Sequence, residues 1–246
     1  MLSIHEVTRH FGGLTAVSGV SFDVDRREIL GVIGPNGAGK TTFFNLLSGA
    51  IPLSSGNIVF NGRDIGGLAP YRVAHLGIGR TFQIVRPFGE LTVLENVLAG
   101  MGAVPCKSLS GALRLYKRQR HFDRAREILA STRLLAVQSE IAKNLPLGLL
   151  RRLEIARALE LEPKLLLLDE SFSGLSHKET ASLSELVLAL RADGMTVLLI
   201  EHNMQITMNL CDRLVVLDRG RKIAEGTPEM IRQNNAVISA YLGAED

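Results

Sequence analysis

The sequence contains no tryptophan, only two cysteines and no long apolar run. Cys106 and Cys211 lie far apart and form no Cys-x-x-Cys pair, which indicates two reduced thiols in a cytosolic protein. No stretch reaches the roughly 18 apolar residues that a membrane helix needs, and the N-terminus lacks the basic start and apolar run of a signal peptide. We therefore expect a protein that does not cross a membrane by itself, although it can dock on one.

Charge is nearly balanced, with a formal net charge of +3 over 246 residues. Only 5% of the residues are aromatic, and no basic stripe carries interleaved aromatics. We therefore expect no nucleic-acid partner. A hydrophobic content of 46% is ample for a buried core in one or two domains.

Residues 34–42 read Gly-Pro-Asn-Gly-Ala-Gly-Lys-Thr-Thr and are the most informative segment of the chain. A predicted buried strand, 28–33, precedes them, and a predicted helix follows from Thr42 to Leu47. A strand, a glycine-rich turn and a helix N-terminus direct several backbone N–H groups at one point, and the helix dipole adds partial positive charge. The segment therefore predicts the phosphate-binding loop of a nucleoside triphosphatase.

Within this loop, glycine lets the backbone turn tightly and approach the phosphates. Lys40 can reach the β- and γ-phosphates, and the Thr41 hydroxyl can ligate Mg²⁺. The predicted nucleotide-binding residues are Gly34, Pro35, Asn36, Gly37, Ala38, Gly39, Lys40, Thr41 and Thr42.

A run of four leucines, 165–168, ends in Asp169 and Glu170. Such a run is typical of a strand that is buried on both faces. Ligands of open α/β sheets bind at the carboxyl ends of strands, so the two carboxylates should arrive beside the phosphate loop. We expect Asp169 to hold Mg²⁺ alongside Thr41, and Glu170 to orient and polarise the water that attacks the γ-phosphate.

Strand and helix patterns alternate along the chain, which predicts an α/β fold with a largely parallel sheet and an antiparallel β portion at the N-terminus. The block from about 91 to 162 contains almost no strand signal and is predicted to be an inserted helical subdomain; the core is then 1–90 and 163–246. Thr92 and Glu95 form a predicted capping box. Within 109–135 the apolar spacing falters, which suggests two helices or a bend.

Taken together, these segments resemble the ATP-binding subunits of ABC transporters, and the likeness covers nearly the whole chain. Gln83, in the string 80–83, matches the family's glutamine loop, which touches Mg²⁺ and contacts the membrane subunit. His202 matches the switch histidine that contacts the γ-phosphate. Phe11 falls where the family stacks an aromatic ring on adenine.

Several strings resemble the ATPases of branched-chain amino-acid importers, in particular the longer of that system's two. This resemblance implies ATP and Mg²⁺ as ligands, and membrane permease subunits and a second ATPase subunit as partners. A solute-binding protein would act indirectly, and the chain would sit at the cytoplasmic face of the membrane. ATPases of lipopolysaccharide export and of urea or amide import are similar alternatives. The strings that carry the likeness are residues 80–83, 91–97, 151–157, 226–229 and 240–243.

The chain departs from the family at its signature loop, which reads Leu-Pro-Leu-Gly-Leu at 145–149 instead of Leu-Ser-Gly-Gly-Gln. Pro146 offers neither a hydroxyl nor an N–H group, and Leu149 cannot hydrogen-bond as glutamine does. In the dimer-contact loop, 173–176, a serine ends the motif where the family often has Asp or Asn, and Ser171 replaces a proline. Because these losses fall on groups that serve the partner's nucleotide, we hypothesise a heterodimer with one competent and one weakened site.

Two other functions fit parts of the pattern. Soluble cassette ATPases of DNA repair or translation share the loop and the acidic pair, but they usually carry two cassettes or a long coiled coil. A nucleotide-binding regulatory subunit with little catalysis of its own is compatible with the altered signature. ATPase measurements with and without membrane subunits, or with nucleic acid, separate these alternatives.

Overall fold

The computed structural model describes the backbone of residues 1–81, 87–100 and 111–242, and their side chains except at 111–118 and 242. Its described strands are β1 (Leu2–Phe11), β2 (Leu14–Val24), β3 (Ile29–Ile33), β4 (Ser55–Phe60), β5 (Arg63–Asp64), β6 (Ile78–Arg80), β7 (Leu165–Asp169), β8 (Thr196–Ile200), β9 (Arg213–Asp218) and β10 (Arg221–Gly226). Its described helices are α1 (Lys40–Leu47), α2 (Pro70–His75), α3 (Val93–Gly100), α4 (Gly111–Ser131), α5 (Leu147–Ala158), α6 (His177–Ala192), α7 (Met204–Leu210), α8 (Pro228–Arg232) and α9 (Asn235–Leu242).

The larger sheet contains six strands in the order β10-β9-β3-β8-β7-β6. All neighbours pair in parallel except β9 and β10. Every residue of β3, β7 and β8 is buried, which explains why their sequences are continuous apolar runs. Since parallel strands end at one edge, the segments that follow β3, β7 and β8 converge there.

The smaller sheet is antiparallel, with the order β2-β1-β4-β5. Its strands alternate buried and exposed residues, as expected for a sheet with one face on the core. The predicted combination of a largely parallel sheet with an N-terminal antiparallel portion is confirmed.

Two hydrophobic clusters cover opposite faces of the larger sheet. Successive residues of β7 enter different clusters, Leu165 and Leu167 one and Leu166 and Leu168 the other, because side chains alternate across a strand. One cluster includes the smaller sheet and α1, and the other includes residues of α3, α4 and α5. In the described residues the elements between 91 and 162 are helical apart from one isolated bridge, and they share this second cluster with the sheet. The subdomain boundary stays a prediction.

Helix α4 corrects one expectation. The predicted division of 109–135 into two helices is wrong for the described part, because α4 runs unbroken from Gly111 to Ser131; the alternative of a bend stays a prediction. The apolar spacing falters where a polar pair supports the helix instead: Gln119 donates to Asp123 one turn later at 2.9 Å. None of the helices in the described ranges is long and apolar enough to span a membrane.

The predicted capping box at the start of α3 is confirmed. Thr92 Oγ1 accepts from the Glu95 N–H at 3.2 Å, and the Thr92 N–H donates to Glu95 Oε2 at 2.8 Å. Two N–H groups at the helix start are thereby satisfied.

Candidate active site

The glycine-rich loop connects β3 to α1 at the carboxyl edge of the larger sheet. Gly39 precedes the first helical residue with φ of 98°, a left-handed conformation that favours glycine, and no side chain caps the helix start. The first N–H groups of α1 are therefore left for a ligand, and the helix dipole makes the position favourable for an anion. This is the geometry of a phosphate cradle.

Lys40 is the first residue of α1 and its side chain turns back over the loop. The ammonium donates to the carbonyl oxygens of Gly34 at 2.7 Å and Pro35 at 2.9 Å, and the residue is only 7% exposed. Burial lowers the pKa of Lys40, and the carboxylate of Glu170 opposes that shift. The ammonium is thus held in the loop beside an acidic group.

Glu170 follows β7 and lines the same cavity as the loop. This open cavity, of about 470 Å³, is bounded by residues 36–42, Glu170, residues 14–16 and the pair Arg219–Gly220. Glu170 has φ of 47°, and its N–H donates to the Ile200 carbonyl oxygen at 3.0 Å. A non-glycine residue in this region is uncommon and is often found at functional sites. The predicted neighbourhood of the acidic strand end and the lysine loop is therefore present.

Asp169 ends β7 as a buried carboxylate, with its side chain 3% exposed. Its Oδ2 accepts from Arg80 Nη2 at 2.8 Å. Its Oδ1 is buried and has no hydrogen-bond partner among the described residues. An unpaired buried acceptor costs about 1–3 kcal/mol, more when charged, which suits an oxygen reserved for a cation.

The donor set at this edge fits a magnesium ion rather than a metal with an all-protein cage. The described residues contain no group of three or more His, Cys, Asp or Glu side chains placed to hold a metal. Mg²⁺ needs no such group, because it is usually bound by one or two protein oxygens together with substrate phosphates and water.

His202 follows β8, two residues after its end, and is exposed. It lines a second cavity, of about 520 Å³, together with Ser173, Gly174 and Leu175 of the dimer-contact loop. Among the described residues it does not line the phosphate cavity. The structure therefore brings Lys40 and Glu170 together, and sets His202 on the adjacent strand end.

One other predicted residue, Phe11, does not line the cavity in the described part of the chain. Phe11 is 45% exposed at the β1–β2 turn, where the Arg9 guanidinium lies 4.6 Å from its ring centre. Residues 14–16, just after Phe11, line the cavity instead. Gln83 lies outside the described residues.

Sequence reasoning missed Arg219 and Gly220, which also line the cavity that contains the glycine-rich loop and Glu170. The Gly220 N–H donates to the Ala38 carbonyl oxygen at 3.0 Å, and its own carbonyl accepts from the Ser18 N–H at 2.8 Å. Gly220 has φ of 78°, a conformation that favours glycine. The Arg-Gly pair between β9 and β10 was therefore the sequence signal for a tight turn at this position.

The altered signature loop leads into α5. Pro146 precedes the helix without a side-chain cap, and its carbonyl accepts from the N–H groups of Leu149 and Leu150, both at 3.0 Å. Gly148 lies against the Glu179 carboxylate, and a Cβ there would come within 2.6 Å of Glu179 Oε1. Hydrogen bonds from Ser176, and then from the Gly148 backbone, lower the pKa of Glu179. The start of α5 is therefore already accompanied by a carboxylate of this chain.

A largely parallel sheet with a glycine-lysine loop, and an acidic strand end that lines the same cavity, defines a phosphate-loop nucleoside triphosphatase. Residues 17–173 match the family model described as "ABC transporter", and residues 221–246 match one described as "Branched-chain amino acid ATP-binding cassette transporter". The chain belongs to the ABC transporter family, as one of its ATP-hydrolysing cassettes.

Several relatives match over nearly the full length. The chain is 44% identical to the high-affinity branched-chain amino acid transport ATP-binding protein LivG of Salmonella typhimurium, with 99% of this chain and 98% of the relative covered. It is 41% identical to the corresponding protein BraF of Pseudomonas aeruginosa, with the same coverage. A solved ATP-binding cassette of an ABC transporter in its ADP conformation is 32% identical, with a TM-score of 0.88 and 99% and 98% coverage.

Proposed function

We propose that this chain energises the import of branched-chain amino acids by binding and hydrolysing ATP at the cytoplasmic face of a membrane transporter. The observation that carries the ATPase part is the cavity shared by the Lys40 loop and Glu170. The solute follows from the names of relatives that match 98% of their own length, LivG and BraF.

Binding of ATP begins at the glycine loop. The N–H groups of the loop and of the first turn of α1 receive the phosphates, and Lys40 exchanges its two loop carbonyls for β- and γ-phosphate oxygens. Phe11, by resemblance, stacks on the adenine with its exposed ring.

The proposed metal site combines the Thr41 hydroxyl, the unpartnered Oδ1 of Asp169 and, by resemblance, Gln83. When bound, Mg²⁺ neutralises phosphate charge that develops during transfer. Glu170 orients the attacking water and accepts its proton as a general base, and His202 donates a hydrogen bond to the γ-phosphate.

We infer that the transporter contains two ATPase subunits and two membrane permease subunits, and that it receives solute from a binding protein. A heterodimer with unequal sites is favoured by the start of α5. Pro146 has no N–H group, Leu149 uses its own N–H within the helix, and Glu179 sets a negative charge beside Gly148. Each feature disfavours binding, at the start of α5, of the γ-phosphate of ATP held by the second ATPase subunit.

Hydrolysis and solute are tested on the assembled transporter in liposomes. We expect Mg²⁺-dependent ATP hydrolysis that is stimulated by a leucine-loaded binding protein. Stimulation by a urea- or amide-loaded binding protein, with none by leucine, would refute the proposed solute and leave the ATPase in place. Absence of Mg²⁺-dependent ATP binding would refute the whole proposal.

Unequal sites are tested by Glu170→Gln in this chain, compared with the equivalent change in the partner ATPase. Loss of the proposed base should lower turnover by about 100-fold or more, while ATP binding persists. The partner's change should lower turnover less than twofold. Exposed Glu185→Gln is the control. Residual turnover of half or more in Glu170→Gln contradicts the asymmetric model.

A further inference from the structure

Arg80 connects three elements around the proposed metal site. It is the last residue of β6, its side chain is 12% exposed, and its Nη2 donates to Asp169 Oδ2 at 2.8 Å. Its Nη1 donates to Asn45 Oδ1 at 2.8 Å and to Ser48 Oγ at 2.7 Å. Asn45 lies within α1 and Ser48 directly follows it, so one guanidinium ties the acidic strand end to the helix that begins at Lys40.

The two oxygens of Asp169 are used unequally. Oδ2 is held by the guanidinium, whereas Oδ1 is buried without a hydrogen-bond partner among the described residues. The backbone adds a second constraint, because the Asp169 N–H donates to Thr81 Oγ1 at 3.2 Å, and Thr81 adjoins Arg80. A carboxylate fixed through one oxygen presents the other in a defined direction.

We propose that Arg80 is a positioning residue for the divalent cation that accompanies ATP. Its guanidinium holds Asp169 through Oδ2 and so presents Oδ1 to the metal, at a fixed distance from α1 and the phosphate loop. This inference rests on the proposed function of Asp169. A planar, forked donor suits the role, because it can bind a carboxylate and two oxygens of another element at the same time.

Removing a residue that hydrogen-bonds a metal ligand commonly changes metal affinity by about 10–100-fold. We therefore expect Arg80→Met to weaken the metal-dependent part of ATP binding by about tenfold or more. Binding of ATP without metal should change less than about twofold, since the phosphate loop is untouched. Arg80→Lys should recover part of the loss, because one ammonium can neutralise Asp169 but cannot also bridge to Asn45 and Ser48.

The experiment measures the Kd of a fluorescent ATP analogue in EDTA and in Mg²⁺. The reported ratio is the Kd in EDTA divided by the Kd in Mg²⁺, so tighter binding with the metal gives a ratio above one. Binding of Mn²⁺ in the presence of ATP, followed by loss of its free electron paramagnetic resonance signal, gives a second readout. Arg213→Met is the matched control, because Arg213 also bridges carboxylates of the sheet, Glu28 and Glu225, away from the loop. It should leave the ratio unchanged.

A lowered ratio and weakened Mn²⁺ binding in Arg80→Met, with the control unchanged, support the positioning role. An unchanged ratio, or equal weakening in EDTA and in Mg²⁺, overturns it. If Arg80→Met does not fold, Asn45→Ala replaces it as the test, because it removes one hydrogen-bond acceptor of Arg80 and keeps the ion pair with Asp169. A lower ratio in Asn45→Ala supports the positioning role, and an unchanged ratio overturns it. A wild-type ratio of one would instead refute the proposed metal site itself.

Discussion

Glu201 should make the protein less stable as the pH rises, and replacing it should remove this effect. The residue is 1% exposed between β8 and His202, and its Oε1 accepts from the Phe172 N–H at 2.9 Å. Burial raises the pKa of Glu201 to about 7, and the nearby Glu170 carboxylate adds to the increase. The Phe172 N–H and the Arg151 guanidinium oppose it.

The sign of this pH dependence follows from the different pKa values of Glu201 in the folded and unfolded states. An unfolded glutamate ionises near its ordinary pKa of 4.5, whereas the folded one remains protonated until about pH 7. The unfolded state therefore loses its proton first, and the folded state loses stability as the pH rises between these values. One pKa unit corresponds to about 1.4 kcal/mol, so the loss between pH 5 and 8 is on the order of 2–3 kcal/mol.

Glu201→Gln keeps an oxygen for the Phe172 N–H and cannot ionise. Its free energy of unfolding, relative to wild type, should rise by roughly 2–3 kcal/mol from pH 5 to pH 8 and then level off. Urea denaturation of the nucleotide-free protein at four pH values measures this. The exposed Glu185→Gln should differ from wild type by less than about 0.5 kcal/mol at every pH. A Glu201→Gln difference that is flat or falls with pH refutes the reasoning.

Three further outcomes are expected. Thr92→Ala should lower the free energy of unfolding by about 1 kcal/mol in urea denaturation, because it removes a helix cap; no change would contradict the role of the capping box. Gly34→Ala should abolish ATP binding or yield misfolded protein in a binding and circular-dichroism assay, since a Cβ there collides with the Leu217 carbonyl oxygen; normal binding would count against the tight loop. In a Cys106→Ser background, Cys211 should react with a thiol reagent only after unfolding, because burial raises the pKa of its thiol; fast labelling of the folded protein would disprove this.

The sequence was sufficient for the parts of the site that follow strand ends. A glycine-lysine turn after one apolar strand and a carboxylate pair after another must meet at one edge, because β3 and β7 are parallel strands of the same sheet. The meeting of Lys40 and Glu170 in one cavity was therefore predictable without coordinates.

The cross-element contacts were not predictable in the same way. Arg80 approaches Asp169 across 89 positions of sequence, and Arg219 and Gly220 reach the cavity from about 180 positions beyond the glycine-rich loop. Neither the hydrophobic periodicity nor the secondary-structure propensity of a short segment predicts contacts between residues so far apart in sequence. The faltering apolar spacing of α4 gave a wrong prediction of two helices for a related reason. Hydrogen bonds between side chains one turn apart, such as Gln119 with Asp123, stabilise a helical segment that has no regular apolar pattern.

The contrast between two helix starts gives the asymmetric model its physical content. At α1 the first N–H groups lack a side-chain cap and are accompanied by a buried lysine, so an anion arriving there meets unsatisfied donors and positive charge. At α5 the start is preceded by a proline and faces the carboxylate of Glu179, which also accepts from Ser176 within its own capping box. An anion arriving at α5 would have to displace or repel that carboxylate. In the proposed heterodimer, backbone geometry and charge at these two helix starts would favour this chain's own nucleotide over its partner's.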